Sequence, residues 1–227
     1  MAELLLELYS EEIPPQLQIE ARSQIKQFVE NSLKENNIKY KELSVFSSPT
    51  RLTLLVKDLV EKIKTESKEI RGPKVGSPDQ VIQGFIKAKN VNETDLIEKD
   101  TDKGKFYFVK IQSQSILVED FLIKIIPEAI ESINWKKSMK WSDHNLMWGR
   151  PLRSILTKFN NKKLPFKFKH LDTTDEVIVE QDLITKTKKI KDFKDYLNFL
   201  KSSKIIVDHQ EREEIILKKI SSLSQSK

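Results

Sequence analysis

The chain has 227 residues, 38% hydrophobic and 33% charged, with 40 Lys and Arg against 34 Asp and Glu for a net charge of +6. That composition is polar but globular, and no apolar run approaches the ~18 residues of a membrane-spanning helix. Cysteine is absent, which excludes disulfides, thiolate nucleophiles and thiolate metal sites and fits a reducing, cytoplasmic setting.

Residues 1–8 lack the basic start and the cleavage site of a secretory signal. Residues 3–9 read as a strand with a Leu-rich centre. Ser10-Glu11-Glu12-Ile13-Pro14-Pro15 breaks it. Proline fits a first helical turn, where its missing N–H would be unpaired anyway. Acids just ahead of it suit the positive end of the helix dipole, so Glu11 and Glu12 are read as helix-start residues rather than an acid–base pair. Leu17, Ala21, Ile25, Phe28, Val29 and Leu33 recur at helical spacing and predict a helix over 16–35, ended by Asn36-Asn37. Strands over 42–46 and 51–59 flank the turn Ser47-Ser48-Pro49-Thr50. Residues 71–78, with Arg71, Gly72 and Pro73, read as a breaker-rich connector.

A short helix is predicted over 78–89, then a strand over 106–112 after the turn Thr101-Asp102-Lys103-Gly104. Residues 118–133 are helical, 152–159 and 165–169 extended, 193–200 helical and 205–207 a small strand. Asp208, with Glu211 three residues on, starts a last helix carrying Ile215, Ile216, Ile220 and Leu223. The polar tail 221–227 is expected to fray. Gly72 and Gly149 are expected at turns needing positive φ. The fold class is α+β, with mixed helices and small antiparallel or mixed sheets in two lobes. A β-α-β-β lobe spans 1–64; an α/β lobe spans 65–227 and holds a basic, Trp-rich segment over 135–170.

Charge is concentrated in that segment. Residues 136–170 hold ten basic residues and one acid, Asp143, for 10 − 1 = +9, so the other 192 residues sum to −3. Trp135, Trp141 and Trp148 lie there, with Phe159, Phe166 and Phe168. Cations neutralise phosphates by counterion release, and aromatic faces stack on unpaired bases. The same pattern also fits a solvated basic face over a Trp-rich core. No nucleotide-binding Gly-rich motif is present. The three His, at 144, 170 and 209, have no second His at i+3 or i+4, and no Cys can complete a zinc site. No metal role is expected for them.

Several segments, in this order, resemble one family. They are Leu4-Leu5-Leu6-Glu7-Leu8 with Glu11-Glu12-Ile13-Pro14, then Val45-Phe46-Ser47-Ser48-Pro49-Thr50-Arg51-Leu52, Arg71-Gly72-Pro73, Gly84-Phe85 and Thr101-Asp102-Lys103-Gly104. Lys137-Ser138-Met139-Lys140-Trp141, Arg150-Pro151-Leu152 and Ile206-Val207-Asp208 with Arg212 follow. The family is the beta subunit of bacterial heterotetrameric glycyl-tRNA synthetase, of which the chain resembles the N-terminal part. Glu176-Val177-Ile178-Val179-Glu180 stands where the family has a Gly-His-Arg-Phe-like segment.

The resemblance implies a non-catalytic role. Adenylation and glycyl transfer would reside in a separate alpha subunit using ATP and Mg²⁺. This chain, with no cofactor of its own and no membrane partner, would hold tRNA(Gly) and support that subunit. The alternative is mainly a docking scaffold, whose exposed apolar helix edges hold the alpha subunit or the remainder of beta, while RNA is met by the family's C-terminal region.

Arginine is scarce, with six copies against 34 Lys, and its planar fork suits phosphate and carboxylate contacts. Arg51, beside a tight turn, is expected to brace the fold. The candidate RNA contacts are Lys136, Lys137, Lys140, Trp141, Arg150 and Arg153. The candidate structural residues are Glu11, Glu12, Pro14, Arg51, Gly72 and Pro73.

Overall fold

The structure, a computed structural model, describes residues 2–64, 68–89, 91–102, 104–111, 115–140, 146–181 and 183–225. Trp141, Asp143 and His144, together with Lys103 and Gln112, lie outside them. The first elements are β1 (Ala2–Ser10), α1 (Pro15–Glu35), β2 (Glu42–Ser48) and β3 (Arg51–Leu59). Next come β4 (Lys62–Lys64), β5 (Lys68–Lys74), α2 (Asp79–Lys89), β6 (Leu96–Thr101), β7 (Gly104–Ile111) and β8 (Ser115–Leu117). Then follow α3 (Val118–Glu131), β9 (Met139–Lys140), β10 (Met147–Trp148), β11 (Leu152–Phe159), β12 (Lys167–Phe168), β13 (Leu171–Thr174), β14 (Glu176–Gln181) and β15 (Ile184–Lys189). The helices α4 (Phe193–Ser202) and α5 (His209–Gln225) come last. No described helix is long and apolar enough to cross a membrane.

Two compact units form, and they divide differently from the lobes expected at 1–64 and 65–227. Met1–Glu61 and Leu117–Lys227 make one unit, and Lys62–Ile116 the other. The reason is β1, which pairs antiparallel with β3 on one side and with β11 on the other. A strand from the second half of the chain thereby completes the first sheet, whose order is β12-β13-β11-β1-β3-β2.

Because β1 is buried on both faces, it reads as a continuous apolar run rather than an alternation. Leu4, Leu6 and Leu8 share one face with their partners Val56, Leu54 and Leu52. There α1 packs, with Gln18 and Arg22 bonded to the Ser47 hydroxyl of β2. Leu5, Glu7 and Tyr9 share the other face with Leu55, Thr53 and Arg51. On that side Leu5 and Leu156 join a buried cluster with Val177, Val179, Ile190, Tyr196, Leu200 and Val207. Asn37 closes α1 at φ 55, with Ile38 N donating to Leu33 O at 2.8 Å and Asn37 N to Lys34 O at 3.0 Å. This left-handed cap explains why Asn36-Asn37 ends the helix.

Residues 205–207 are not a strand. Ile205 N donates to Leu200 O at 2.9 Å and Lys204 takes φ 58. The same kind of cap thus closes α4 and takes the N–H a ladder would need. The helix α5 runs to Gln225, so most of the tail expected to fray is helical.

In the second unit, β5, β7 and β6 form an antiparallel sheet, and β4 pairs with β8. Arg71-Gly72-Pro73 lies within β5 rather than in a connector. The ladder to β7 shifts register between Arg71 and Lys74, an irregularity that accommodates a proline without an N–H. Arg71 lies over the Phe106 ring at 3.8 Å. Neither Gly72 nor Gly149 has positive φ; the glycines that do are Gly76 and Gly104. A Cβ on Gly72 would lie 2.9 Å from the Phe85 ring, so this glycine permits close packing.

Candidate functional site

At one end of the large sheet, three of the segments singled out in the sequence converge. Ser10 N donates to Thr50 O at 2.9 Å, Glu11 N to Pro151 O at 3.0 Å and Ile13 N to Pro49 O at 2.6 Å. These bonds lace the end of β1, the β2–β3 turn and the entry to β11 together. A cleft of about 400 Å³ opens over them, lined by Tyr9, Ser10, Glu11, Glu12, Thr50, Arg150, Arg153 and Glu180.

Beneath it sits a buried polar network. Arg51 is 2% exposed and Glu7 1%. Arg51 Nε pairs with Glu7 Oε2 at 3.0 Å. Its Nη1 donates to Thr50 Oγ1 at 2.9 Å, its Nη2 donates to the Ile178 carbonyl, and its guanidinium lies 4.6 Å from the Tyr9 ring centre. Tyr196 OH donates to Glu7 and lies 2.9 Å from Thr53 Oγ1. Burial raises the Glu7 pKa against the pull of Arg51 and Tyr196. Burial and the Glu7 charge hold the Tyr196 phenol well above its usual value. Arg51 thus joins β1, the β2–β3 turn and β14 through buried contacts.

At the rim, Arg153 Nη1 pairs with Glu180 Oε2 at 2.5 Å, and Tyr9 OH donates to the same oxygen at 3.0 Å. Burial pushes the Glu180 carboxyl up, but the bonds from Arg153 and Tyr9 and the nearby guanidinium charges outweigh it and hold the pKa low. Arg150 differs. Its Nη1 meets the Met139 sulfur at 3.2 Å, a weak acceptor, and it forms no ion pair among the described residues. The expected dipole role of Glu11 and Glu12 is not what the structure shows. The N-cap is Pro14, it has no side-chain cap, and the first turn of α1 holds no acid. Both glutamates are exposed and face the cleft instead.

The predicted basic residues do not form one patch. Lys136 pairs with Glu20 at 2.6 Å. Lys137 and Lys140 are exposed and form no ion pair among the described residues. Lys158 is buried, and Lys169 pairs with Glu131. Lys162 and Lys163 follow a tight turn in which Asn160 and Asn161 take positive φ. That turn lies past the far end of β11, roughly 20 Å from Arg153 at about 3.3 Å per residue.

The aromatics are mainly core. Trp135 and Trp148 pack with ring centres 4.9 Å apart, and Phe159 and Phe168 are buried. None of these four is placed to stack on a base. Gly149 allows this packing, because a Cβ there would lie 2.6 Å from the Trp135 ring. Trp141 lies outside the described residues. Sequence reasoning missed Glu7, Tyr196 and Glu180 as site residues. A lone acid inside a Leu run was the available signal for Glu7; nothing local marks the other two.

A family model described as the glycyl-tRNA synthetase beta subunit matches residues 4–227. The chain belongs to the glycyl-tRNA synthetase beta subunit family. The glycine--tRNA ligase beta subunit of Rickettsia felis is 35% identical over 229 residues, covering 100% of this chain and 34% of that protein. Those of Rickettsia typhi and Rickettsia prowazekii are 38% and 37% identical over 218 residues, each covering 95% of this chain and 32% of the relative. The chain thus spans about a third of the length of the curated relatives it matches. Within this beta subunit family segment, the match takes in every residue that builds the cleft and the network beneath it.

Proposed function

We propose that this chain supports ATP-dependent attachment of glycine to tRNA(Gly) as a non-catalytic portion of a beta subunit. It contacts tRNA and a separate alpha subunit, which carries the catalysis with ATP and Mg²⁺. Family membership supplies the reaction, and one observation supports RNA contact by this part of the chain. Lys137, Lys140 and Arg150 sit close together in sequence and around the β9–β10 pair, exposed or half-buried, with no carboxylate on any of them among the described residues. Open cations of this kind are what counterion release requires. Lys140→Glu combined with Arg150→Glu is expected to weaken binding of labelled glycine tRNA and to flatten its salt dependence. Unchanged affinity and slope would contradict the reading.

A second reading, the docking scaffold, has its own support in α5. Ile216, Leu217 and Ile220 are 50%, 56% and 58% exposed on that helix. Co-expression with the alpha subunit would then yield a complex without tRNA. Clean separation of the two on a sizing column would count against it.

A further inference from the structure

Two of the six arginines meet at one serine. Arg22, on α1, donates through Nη1 to Ser47 Oγ at 2.5 Å. Arg212, in the first turn of α5, donates through Nη1 to the carbonyls of Ser47 and Ile206, each at 3.1 Å. Ser47 is fully buried, and its hydroxyl donates to Gln18 Oε1 at 3.2 Å. Both arginines are half-buried. Among the described residues neither forms an ion pair with a carboxylate, although Arg51 and Arg153 both do.

Like charges held this close repel. Burial and then the Arg212 charge lower the Arg22 pKa. Burial, Arg22 and Arg212 also lower that of His209, against the opposing pull of Asp208 and Glu213. Asp208 and Glu213 are the acids whose charge acts on His209 among the described residues. Asp208 is already engaged, accepting from the backbone N of Gln210 at 2.9 Å and of Glu211 at 3.4 Å. Among the described residues the bonds of both guanidinium groups run through Nη1, and no bond uses Nε or Nη2 of either. A phosphate group, with several acceptor oxygens and a full negative charge, fits two forks that face one point.

We infer that the Arg22–Arg212 pair at Ser47 is a phosphate-binding point for an RNA backbone, separate from the Lys137–Arg150 region. The inference rests on the tRNA-binding reading above. Ser47 lies on β2, three strands across the sheet from β11, which is roughly 14 Å at about 4.8 Å per strand. A polyanion can span that distance and engage both places.

Arg212 also anchors α5 to β2, so the test uses Arg22, whose replacement leaves the bonds of Arg212 in place. Labelled glycine tRNA is titrated with wild type, Arg22→Gln and Arg22→Lys across a salt series. The glutamine variant is expected to bind about five- to tenfold more weakly, with a log–log salt slope reduced by about one phosphate contact. The lysine variant, keeping the charge without the fork, is expected to fall between.

In parallel, pyrophosphate is titrated while the Arg22 and Arg212 Nε signals and the His209 ring are followed by NMR. Bound anion is expected to shift both Nε signals and raise the His209 pKa. Unchanged affinity and slope in Arg22→Gln, with weakened binding in the Lys140→Glu and Arg150→Glu double variant, overturns this site and leaves tRNA binding standing. A wild-type chain that takes pyrophosphate here but no tRNA overturns the RNA assignment together with that reading. Displacement of pyrophosphate by polyglutamate but not by tRNA overturns it in favour of an acidic protein segment. Unmoved NMR signals overturn the site outright.

Discussion

Arg51 and Arg150 stand at the same end of one sheet, on segments tied together through Ser10 and Glu11, and they use the same group in opposite ways. Arg51 is enclosed, paired with Glu7 and bonded to Thr50 and Ile178. Arg150 is half-buried and, among the described residues, its guanidinium bonds to the sulfur of Met139 and to no carboxylate. Being an arginine within a motif does not assign a role. What surrounds the guanidinium does. Enclosure with a carboxylate makes it part of the interior, and an open fork leaves it available to a ligand.

If that contrast is right, the largest effects belong to the interior. Arg51→Met strands the Glu7 carboxylate in the core and is expected to cost about 3–5 kcal/mol, measured as the shift in a denaturant unfolding curve. Tyr196→Phe removes the phenolic donor to Glu7 and the partner of Thr53. Its expected cost is about 1.5–3 kcal/mol, the range for a hydrogen bond to a charged group. Gly149→Ala drives a Cβ to 2.6 Å from the Trp135 ring; overpacking of that kind costs about 1–3 kcal/mol. A red shift or altered intensity of tryptophan emission would accompany it. An Arg51→Met chain as stable as wild type would contradict an interior role for Arg51.

A smaller effect concerns pH. The His209 pKa is lowered from its ordinary 6.5. Below pH 6.5 the unfolded chain therefore binds a proton that the folded chain takes up only at lower pH. Its contribution to stability is fully present above 6.5 and is lost as pH falls through the folded value. His209→Gln is expected to flatten unfolding midpoints between pH 7 and 5. An equally steep profile in the variant would place the effect elsewhere.

The helices α1, α2, α3 and α4 were legible because apolar spacing and breakers are local signals, and β1, β3 and β11 because they are long. The pairing of β1 with β11 was not legible. It joins residues about 150 positions apart, and nothing local in either strand names its partner. The same limit applies to the site. Glu11, Arg150 and Arg153 stand out in the sequence, but their meeting with Glu180 depends on β14 folding over the sheet. Trp135 and Trp148 mislead for a related reason. Aromatics interleaved with lysines look the same whether they face bases or each other, and only the backbone approach at Gly149 decides it.

The most direct measurement is anisotropy of labelled glycine tRNA with wild type and with Lys140→Glu plus Arg150→Glu, across a salt series and with heparin as competitor. Rim charges of this kind are expected to change stability by no more than about 0.5 kcal/mol, so binding can be compared between folded chains. Wild type is expected to prefer tRNA over heparin, and the double variant to bind more weakly with a shallower salt slope. Equal binding by both chains, displaced equally by heparin, would contradict that expectation.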